Sequence, residues 1–318
     1  EVVVELRPNP LPLSTLRVRV FHDNQLVNAE DDIPVEDGLG GFHVTLSDRV
    51  GEVTTDWFGN PLCTRYQDLD GDGTFDVPGD LNAEGEPVPI PGTGGFCRTD
   101  GDGFDADGDG YADFVDADGD HVQDPGEGPD PDGVPEGWVV IPNLGPDRYE
   151  VEAIPPDGTN WIQTTTIEGT LHIDAWIEEG HDGFSTEEGF TQAAVWIGFV
   201  RPCSFGITSD DCTSPTADAA GRSGRITGRV RSIALDDESG LLRMGNPVVR
   251  PWLALNNIGG NDEQVYAGRG NADGTFVIPN VPAGLYQLVI WDAPLDHIIQ
   301  FQTVRVPRDN CGANLRPC

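Results

Sequence analysis

One segment of this chain, residues 66–136, constrains the fold more than any other feature. It holds 21 acidic side chains and a single basic one, Arg98, for a formal charge of −20. The whole chain of 318 residues has a net charge of −37, so this segment supplies more than half of it. Like charge at this density keeps a chain disordered unless counter-ions neutralise it. The segment is therefore predicted to be an acidic linker or a set of loops folded around cations.

An internal repeat of 11 residues favours the cations. The sequence DADGDGYADFV at 105–115 is followed directly by DADGDHVQDPG at 116–126. Aspartates at alternate positions match the EF-hand type of calcium loop, in which positions 1, 3, 5, 7, 9 and 12 supply oxygen ligands. The predicted ligands are Asp105, Asp107, Asp109, Tyr111, Asp113 and Asp116 in the first loop, and Asp116, Asp118, Asp120, Val122, Asp124 and Glu127 in the second. The shared Asp116 could bridge two ions, and His121 stands where the turn glycine is expected.

A third, incomplete loop precedes the repeat. Its predicted ligands are Asp68, Asp70, Asp72, Thr74 and Asp76, with Asp80 next to position 12, where Gly79 stands. Asp100 and Asp102 are further candidates, and Asp130, Asp132 and Glu136 are fragments that could complete neighbouring sites. Ca²⁺ takes about 6–8 oxygen ligands, whereas Mg²⁺ loses its water reluctantly. We expect two or more Ca²⁺ ions in a structural role, because the flanking helices of a calcium sensor are not evident.

The six cysteines lack the spacing of a zinc or haem site and indicate disulfides. Proximity in sequence alone suggests the pairs Cys63 with Cys97, Cys203 with Cys212, and Cys311 with Cys318. Disulfides imply an oxidising compartment, so we expect an extracellular or cell-surface protein. The longest uncharged apolar stretch, residues 193–200, is much shorter than the ~20 residues of a membrane helix. The chain does not begin with Met, and we expect it to be processed or excised from a longer protein.

Short runs rich in β-branched and aromatic residues, separated by Gly, Pro, Asn and Asp, predict an all-β protein. Such runs recur from residue 2 to residue 200 and again from 226 to 306. Residues 201–223 are small and polar and read as a linker pinned by a Cys203 to Cys212 bond. The predicted organisation is a β-sandwich at 1–200 with the acidic segment inserted, the linker, a second sandwich at 224–307 and a tail at 308–318.

The second domain contains the series Asp273-Gly274-Thr275-Phe276, Asn280-Val281-Pro282, Gly284 and Tyr286. This pattern resembles the carboxypeptidase regulatory-like and collagen-adhesin B-type domains, which are transthyretin-like or immunoglobulin-like β-sandwiches. The first domain shows a divided version of the same pattern. Its turn at Thr55, Asp56, Gly59 and Asn60 is separated from Asn143, Leu144 and Tyr149 by the acidic segment. The domain thus resembles the B-type repeats of serine-aspartate repeat surface proteins, and the tandem loops resemble thrombospondin type-3 repeats.

Several functional classes are excluded or disfavoured by composition. All 18 basic residues are arginine, so lysine nucleophiles, Schiff bases and the internal isopeptide bonds of some collagen-adhesin domains cannot form. A chain with 55 acidic residues also lacks the basic surface that a nucleic-acid binder needs. His172, Asp174, Glu178 and His181 form the one cluster that suggests a transition metal, but its spacing fits a solvated surface better. Catalytic motifs are missing, and we expect no enzyme.

The sequence thus predicts a non-enzymatic, calcium-stabilised extracellular structural protein: a segment of a cell-surface stalk or adhesin, or a filament subunit. Its partners would be copies of itself or neighbouring surface domains. Residues 1–14 could form the first strand of their own sandwich or pair with the sheet edge of another molecule. A carbohydrate- or protein-binding adhesin module, and an accessory domain of a larger secreted hydrolase, remain as alternatives.

Overall fold

The structure is a computed structural model. It describes residues 13–26, 36–71, 75–77, 79–106, 112–117, 121–130, 133–165, 170–180, 183–186, 189–205, 223–236, 240–259, 263–295 and 300–307. These residues form 21 β-strands and no helix, which confirms the predicted all-β class. No helix in this part of the chain is long and apolar enough to cross a membrane.

The chain divides into two compact units that are not contiguous in sequence. Unit 1 comprises residues 1–21, 37–158 and 172–197, and unit 2 comprises 22–36, 159–171 and 198–318. The chain passes from unit 1 to unit 2 for the last time between residues 197 and 198, whereas the predicted boundary is at residue 200. Two segments that the sequence pattern placed with the first domain, 22–36 and 159–171, pack instead with unit 2.

Unit 1 is built from short antiparallel strands. They are β1 (Ser14–His22), β2 (His43–Ser47), β3 (Glu52–Val53), β4 (Cys97–Arg98), β5 (Gly103–Phe104), β6 (Phe114–Val115), β7 (Trp138–Leu144), β8 (Arg148–Ile154), β10 (Ile173–Trp176), β11 (Phe184–Ser185), β12 (Thr191–Gln192) and the start of β13 (Val195–Val200). Strand β1 pairs with β7. A second sheet has the order β12-β11-β10-β8-β2-β3, with β4 also on β2.

The core of unit 1 follows from the two-residue period of its strands, which sends alternate side chains to opposite faces. In β1, Leu16 and Val18 are fully buried, whereas the intervening Arg17 is half-buried. In β8, Val151 is buried between the more exposed Glu150 and Glu152. Inward-facing aliphatic residues on β1, β2, β8 and β10 therefore supply the hydrophobic contacts of this unit.

Unit 2 contains a sandwich with a core on both sides of its main sheet. Its strands are β9 (Ile162–Thr165), the end of β13, β14 (Ser223–Arg229), β15 (Arg231–Leu235), β16 (Leu242–Pro247), β17 (Trp252–Asn256), β18 (Gln264–Arg269), β19 (Thr275–Pro282), β20 (Gly284–Trp291) and β21 (Gln300–Val306). The main sheet has the order β18-β17-β20-β21, and β14 pairs with β19. One face of β17 packs with β14 and β19 through Leu253 and Leu255.

The opposite face of β17 explains why residues 22–36 and 159–171 belong to unit 2. Trp252 and Trp291 form a second cluster with Leu26, and Ile162 and Leu171 pack against it. The indole N–H of Trp291 donates to the carbonyl of Gln163 at 3.1 Å. Leu26, Ile162 and Leu171 thus pack on an apolar sheet face, a contact that local sequence patterns do not reveal.

Two turns that flank the acidic segment in sequence contact each other in unit 1. Asp56 Oδ1 accepts hydrogen bonds from the N–H groups of Phe58 and Asn60, at 2.9 and 3.0 Å. The N–H of Trp57 in this turn donates to the carbonyl of Asn143 at 3.0 Å. A Cβ on Gly145 would lie 2.7 Å from Cε3 of Trp57, so a larger residue there would displace the indole ring. Residues 66–136 therefore lie between neighbouring turns of one unit, as an inserted loop requires.

Candidate metal centre

The first aspartate loop closes around the carboxylate of Asp80, which is fully buried. Asp80 Oδ1 accepts hydrogen bonds from the N–H groups of Leu69 and Asp70 at 2.5 and 3.0 Å. Its Oδ2 accepts from the N–H of Asp76 at 2.8 Å. These bonds, foremost the one from Asp76, hold the pKa of Asp80 below its ordinary value. Asp80 therefore stays ionised and fixes both ends of the loop.

Three carboxylates converge inside this loop. Ligand oxygens of Asp68, Asp70 and Asp80 lie within 4.8 Å of one another. A Cβ on Gly79 would lie 2.4 Å from Asp76 Oδ1 and 2.9 Å from Asp70 Oδ2, so Asp76 also borders the group and a side chain at Gly79 would collide with it. Oxygen donors at this spacing suit a hard cation such as Ca²⁺. Of the other predicted ligands of this loop, Asp72 and Thr74 lie outside the described residues.

A second group joins residues that are far apart in the segment. Ligand oxygens of Asp100, Asp102 and Asp130 also lie within 4.8 Å of one another. Asp100 Oδ2 accepts hydrogen bonds from the N–H groups of Asp102 and Gly103 at 2.9 and 2.8 Å. A Cβ on Gly103 would lie 2.7 Å from Asp130 Oδ2. Sequence spacing named all three residues as fragments that could complete neighbouring sites, but it did not indicate that they meet one another.

The electrostatics of this second group indicate unbalanced negative charge. Burial, followed by the charges of Asp100 and Asp130, raises the pKa of Asp102. Burial and the charge of Asp37 raise the pKa of nearby Glu136 to about 7, against a smaller lowering by Arg19. Like charges raise carboxylate pKa values because each ionised group destabilises the next. A bound divalent cation would reverse this effect and keep the carboxylates ionised.

In each of the two repeated loops an acidic side chain accepts a hydrogen bond from the backbone N–H of the second residue, but the acid stands at position 9 in the first loop and at position 12 in the second. In the first, the N–H of Ala106 donates to Asp113 Oδ2 at 2.9 Å. In the second, the N–H of Ala117 donates to Glu127 Oε1 at 2.9 Å, and the N–H of Asp124 donates to Glu127 Oε2 at 2.8 Å. An acid late in each loop thus binds the backbone near its start. Among the ligands predicted here, Asp107, Asp109, Tyr111, Asp118 and Asp120 lie outside the described residues; Asp105, Asp116 and Val122 lie within them.

His121 occupies the turn position of the second loop with a φ of 63°, a conformation that favours glycine. Its N–H donates to Asp116 Oδ2 at 2.8 Å. Its ring stacks on Phe104, with centroids 4.8 Å apart. The hydrogen bond and the ring contact together hold a residue other than glycine in the left-handed turn.

The disulfide between Cys63 and Cys97 is present, with Cα atoms 5.5 Å apart. It ties the turn after Asn60 to β4, which pairs with β2 of the second sheet in unit 1. Cys203 is disulfide-bonded too, while Cys212, Cys311 and Cys318 lie outside the described residues. The two remaining pairings therefore stay predictions.

A further group joins Glu150, His172 and Asp174, whose ligand atoms lie within 4.8 Å of one another. Arg148 donates to Asp174 and forms an ion pair with Glu150 at 3.5 Å. An arginine thus balances the two acids. His172 is exposed, as the surface interpretation expects, whereas Asp174 is buried. Glu150 was not part of the cluster expected from sequence, and His181 lies outside the described residues.

Comparisons with known proteins are weak. No family model matches the chain, and no curated protein is similar to it. A streptococcal ancillary pilin aligns with 96% of this chain and 61% of its own length, at 11% identity and a TM-score of 0.23. The major pilin subunit of Bacillus cereus aligns with 94% of this chain and 97% of its own length, at 9% identity and a TM-score of 0.24.

A third solved structure, the group B streptococcus pilus 2b backbone protein, aligns with 94% of this chain and 78% of its own length, at 12% identity and a TM-score of 0.19. The chain therefore spans less than two thirds of the streptococcal ancillary pilin. TM-scores this low do not establish a shared overall fold.

Proposed function

We propose that this chain is a non-enzymatic, calcium-stabilised extracellular structural protein, a segment of a cell-surface stalk or adhesin or a subunit of a filament. The observation that carries the proposal is the convergence of carboxylates in the inserted segment. Asp68, Asp70 and Asp80 form one group, and Asp100, Asp102 and Asp130 form another. Both groups belong to a segment of formal charge −20, which favours a compact form only when cations neutralise it.

Bound cations would stiffen the strands of unit 1 because the loops are hydrogen-bonded to them. The N–H of Asp100 donates to the carbonyl of Trp138 at 2.8 Å, and the N–H of Gly137 donates to the carbonyl of Asp100 at 2.9 Å. Asp100 is thereby linked to the start of β7. A cation bound to the second carboxylate group would therefore also order the segment between Asp100 and the start of β7. Such ordering suits a protein that bears load or resists proteolysis.

The chemistry of the disulfide and that of calcium binding both support an extracellular setting. The Cys63–Cys97 disulfide is of a kind that persists in oxidising compartments. Extracellular calcium modules bind the ion with dissociation constants of about 10⁻⁴–10⁻³ M, within reach of loops in which half of the grouped carboxylates are exposed. Asp68 and Asp70, for example, are exposed, whereas Asp80 is buried.

The hairpin of β15 and β16 in unit 2 supports assembly with other chains. Ile233 lies opposite Met244, and Leu235 lies opposite Leu242. These four side chains are 60–72% exposed and so form an apolar stripe on a two-stranded ribbon. Contiguous exposed apolar side chains mark interaction sites. A two-stranded ribbon alone is only marginally stable in water, so contact with another surface would also stabilise it. Donation of residues 1–14 as a strand stays a prediction, since residues 1–12 lie outside the described part.

Calcium removal tests the proposal. We expect EDTA to lower the melting temperature of the purified chain and to open residues 66–136 to trypsin and Glu-C, and we expect millimolar Ca²⁺ to reverse both effects. The double variant Asp80→Asn/Asp102→Asn should show the lower melting temperature even with Ca²⁺ present. Glu84→Gln, an exposed acid in the same segment, is the matched control and should behave like the wild type.

Scanning calorimetry and mass spectrometry of the digests give the two readouts. A melting temperature and a cleavage pattern that are the same in EDTA and in Ca²⁺ would refute the calcium component. Electron microscopy of the native material, with and without chelator, tests the structural component separately, since filaments or stalks should be visible and should become flexible in EDTA.

A further inference from the structure

The hairpin of β15 and β16 in unit 2 has both an apolar face and open strand edges. Ile233 lies opposite Met244, and Leu235 lies opposite Leu242, so the four side chains share one face. They are 60–72% exposed. Among the described strands, β15 and β16 pair only with each other. The hairpin therefore combines unpaired backbone N–H and C=O groups with exposed aliphatic side chains, and an added strand uses both.

The opposite face of the hairpin carries an arginine. Ala234 lies opposite Arg243, one position away from the residues of the apolar stripe, so both point to the other face. The side chain of Arg243 is 68% exposed, and its Nε lies 2.7 Å from Asp236 Oδ2. The surrounding residues 222–250 hold six arginines and three acidic residues, for a formal charge of +3 in a chain of −37. A strand with aliphatic side chains on one face and an acidic one on the other would match this hairpin.

Residues 1–7, with the sequence EVVVELR, have this pattern. In an extended strand, Val2, Val4 and Leu6 point to one face, whereas Val3 and Glu5 point to the other. Proline at positions 8, 10 and 12 has no N–H to donate to a strand ladder, so a strand formed here ends by residue 7. The five residues 2–6 equal β15 in length, and β16 has six residues. The segment therefore fits the hairpin in length and in the period of its apolar side chains.

We propose that residues 2–6 of one copy of this chain add as a strand beside β16 of a second copy. Val2, Val4 and Leu6 then extend the apolar stripe, and Glu5 lies on the same face as Arg243. The inference rests on the proposed stalk or filament function and names the surface through which the chains join. Because residues 2–6 and β16 are different parts of the chain, each copy can give one strand and receive another, which produces an open, head-to-tail assembly.

Strand addition accounts for the edge and the apolar face of the hairpin together. Backbone hydrogen bonds from the added strand satisfy the N–H and C=O groups along the edge of β16. A third strand also stabilises the hairpin, since three strands with a hydrophobic face are stable where a two-stranded ribbon is marginal. A partner that covered the stripe alone would leave the strand edge open.

Two neighbouring substitutions in the donor segment test the proposed register. Val4→Asp places a carboxylate on the apolar stripe and should weaken association at least about tenfold, because burying an unpaired charge is costly. Val3→Asp is the matched control: it makes the same chemical change on the face of Arg243, and association should stay within about threefold of the wild type. Sedimentation velocity in millimolar Ca²⁺, over a range of concentrations, measures both.

A fluorescent peptide of residues 1–8 tests the acceptor hairpin without any polymer. The full-length Val4→Asp chain should bind this peptide, since its own donor segment is impaired and its hairpin is intact. Adding Leu242→Glu to that chain should weaken binding at least about tenfold. Adding Val277→Glu instead should change it less than about twofold, because Val277 is 55% exposed but lies on β19. Fluorescence anisotropy gives the affinities.

Equal association of Val4→Asp and Val3→Asp, or peptide binding that Leu242→Glu leaves unchanged, would overturn the proposal. Pairing of residues 2–6 within their own chain would overturn it too: Val4→Asp would then lower the melting temperature, and the peptide would not bind. Filaments that persist in Val4→Asp would remove the strand proposal and leave the proposed function in place. Peptide binding with the expected dependence on Leu242, in a wild type without filaments, would support the acceptor site and count against the filament.

Discussion

At the scale of single residues, two turns of the same design occur in the two units. Asn143 and Asn280 have φ values of 59° and 56°, in the left-handed region. Six residues later, the hydroxyl of Tyr149 donates to the carbonyl of Gly145 at 2.9 Å, and that of Tyr286 donates to the carbonyl of Pro282 at 3.0 Å. The two sequence patterns, NLGPDRY and NVPAGLY, therefore encode one local structure.

Tyr149 makes the stability of unit 1 sensitive to alkaline pH. Burial, with smaller effects from Asp147 and Asp48, raises the pKa of its phenol to about 12. Its pKa in the unfolded chain is about 10. Above this value the unfolded state loses the proton first, so stability should fall as pH rises from about 10 to about 12.

Denaturant unfolding of unit 1 at a series of pH values measures this effect. Tyr149→Phe should lower the free energy of unfolding at neutral pH by about 1 kcal/mol, through loss of the hydrogen bond. It should also flatten the alkaline decline. Tyr286→Phe in unit 2 is the matched control, because it removes the equivalent hydrogen bond from the other unit. An unchanged alkaline slope in Tyr149→Phe would show that other groups cause the decline.

At the scale of elements, strand signals in the sequence were reliable where one face of a strand is buried. The pattern around residues 16–21 corresponds to β1, whose burial alternates from Ser14 to Val18 and is continuous from Val18 to Phe21. Strand β17 is buried at all five positions because hydrophobic clusters cover both of its faces. Very short strands such as β5 and β6 depend on pairing with each other, which a pattern of two residues cannot indicate.

The disulfide links two elements and should contribute strongly to the stability of unit 1. Cys63 and Cys97 are 34 residues apart. Closing a loop of this length restricts the unfolded chain by about 3–4 kcal/mol in the chain-entropy description. The double variant Cys63→Ser/Cys97→Ser should therefore unfold at lower denaturant concentration, and adding reductant should not lower the midpoint for unit 1 further.

Equilibrium unfolding in guanidinium chloride checks this value. The wild type under reducing conditions should approach the variant in the stability of unit 1. A loss well below about 1 kcal/mol would contradict the prediction.

At the scale of the whole molecule, charge is divided between regions with different roles. The segment at 66–136 has a formal charge of −20, and the remaining residues have −17. Within this acidic molecule, the hairpin of β15 and β16 carries the exposed apolar stripe of Ile233, Leu235, Leu242 and Met244. The proposed cation-binding groups and the proposed association surface therefore belong to different units.

The apolar stripe on the hairpin predicts self-association or association with a neighbouring surface domain. Leu242→Glu and Met244→Glu each place a charge on the stripe and should shift the protein towards monomer, because burying an unpaired carboxylate is costly. Val277→Glu is the control, since Val277 is also exposed (55%) but lies on β19. Sedimentation velocity over a range of concentrations measures the shift. A wild type that stays monomeric at the highest attainable concentration would contradict the prediction.

The sequence alone determined the all-β class, the acidic segment and the position of its turns, because these depend on local spacing: alternate burial along a strand and alternate aspartates along a loop. It could not determine that Asp130 joins Asp100 and Asp102, or that Leu26 packs on a sheet face of unit 2. Each of these brings together residues distant along the chain, so it depends on the packing of strands and loops in three dimensions.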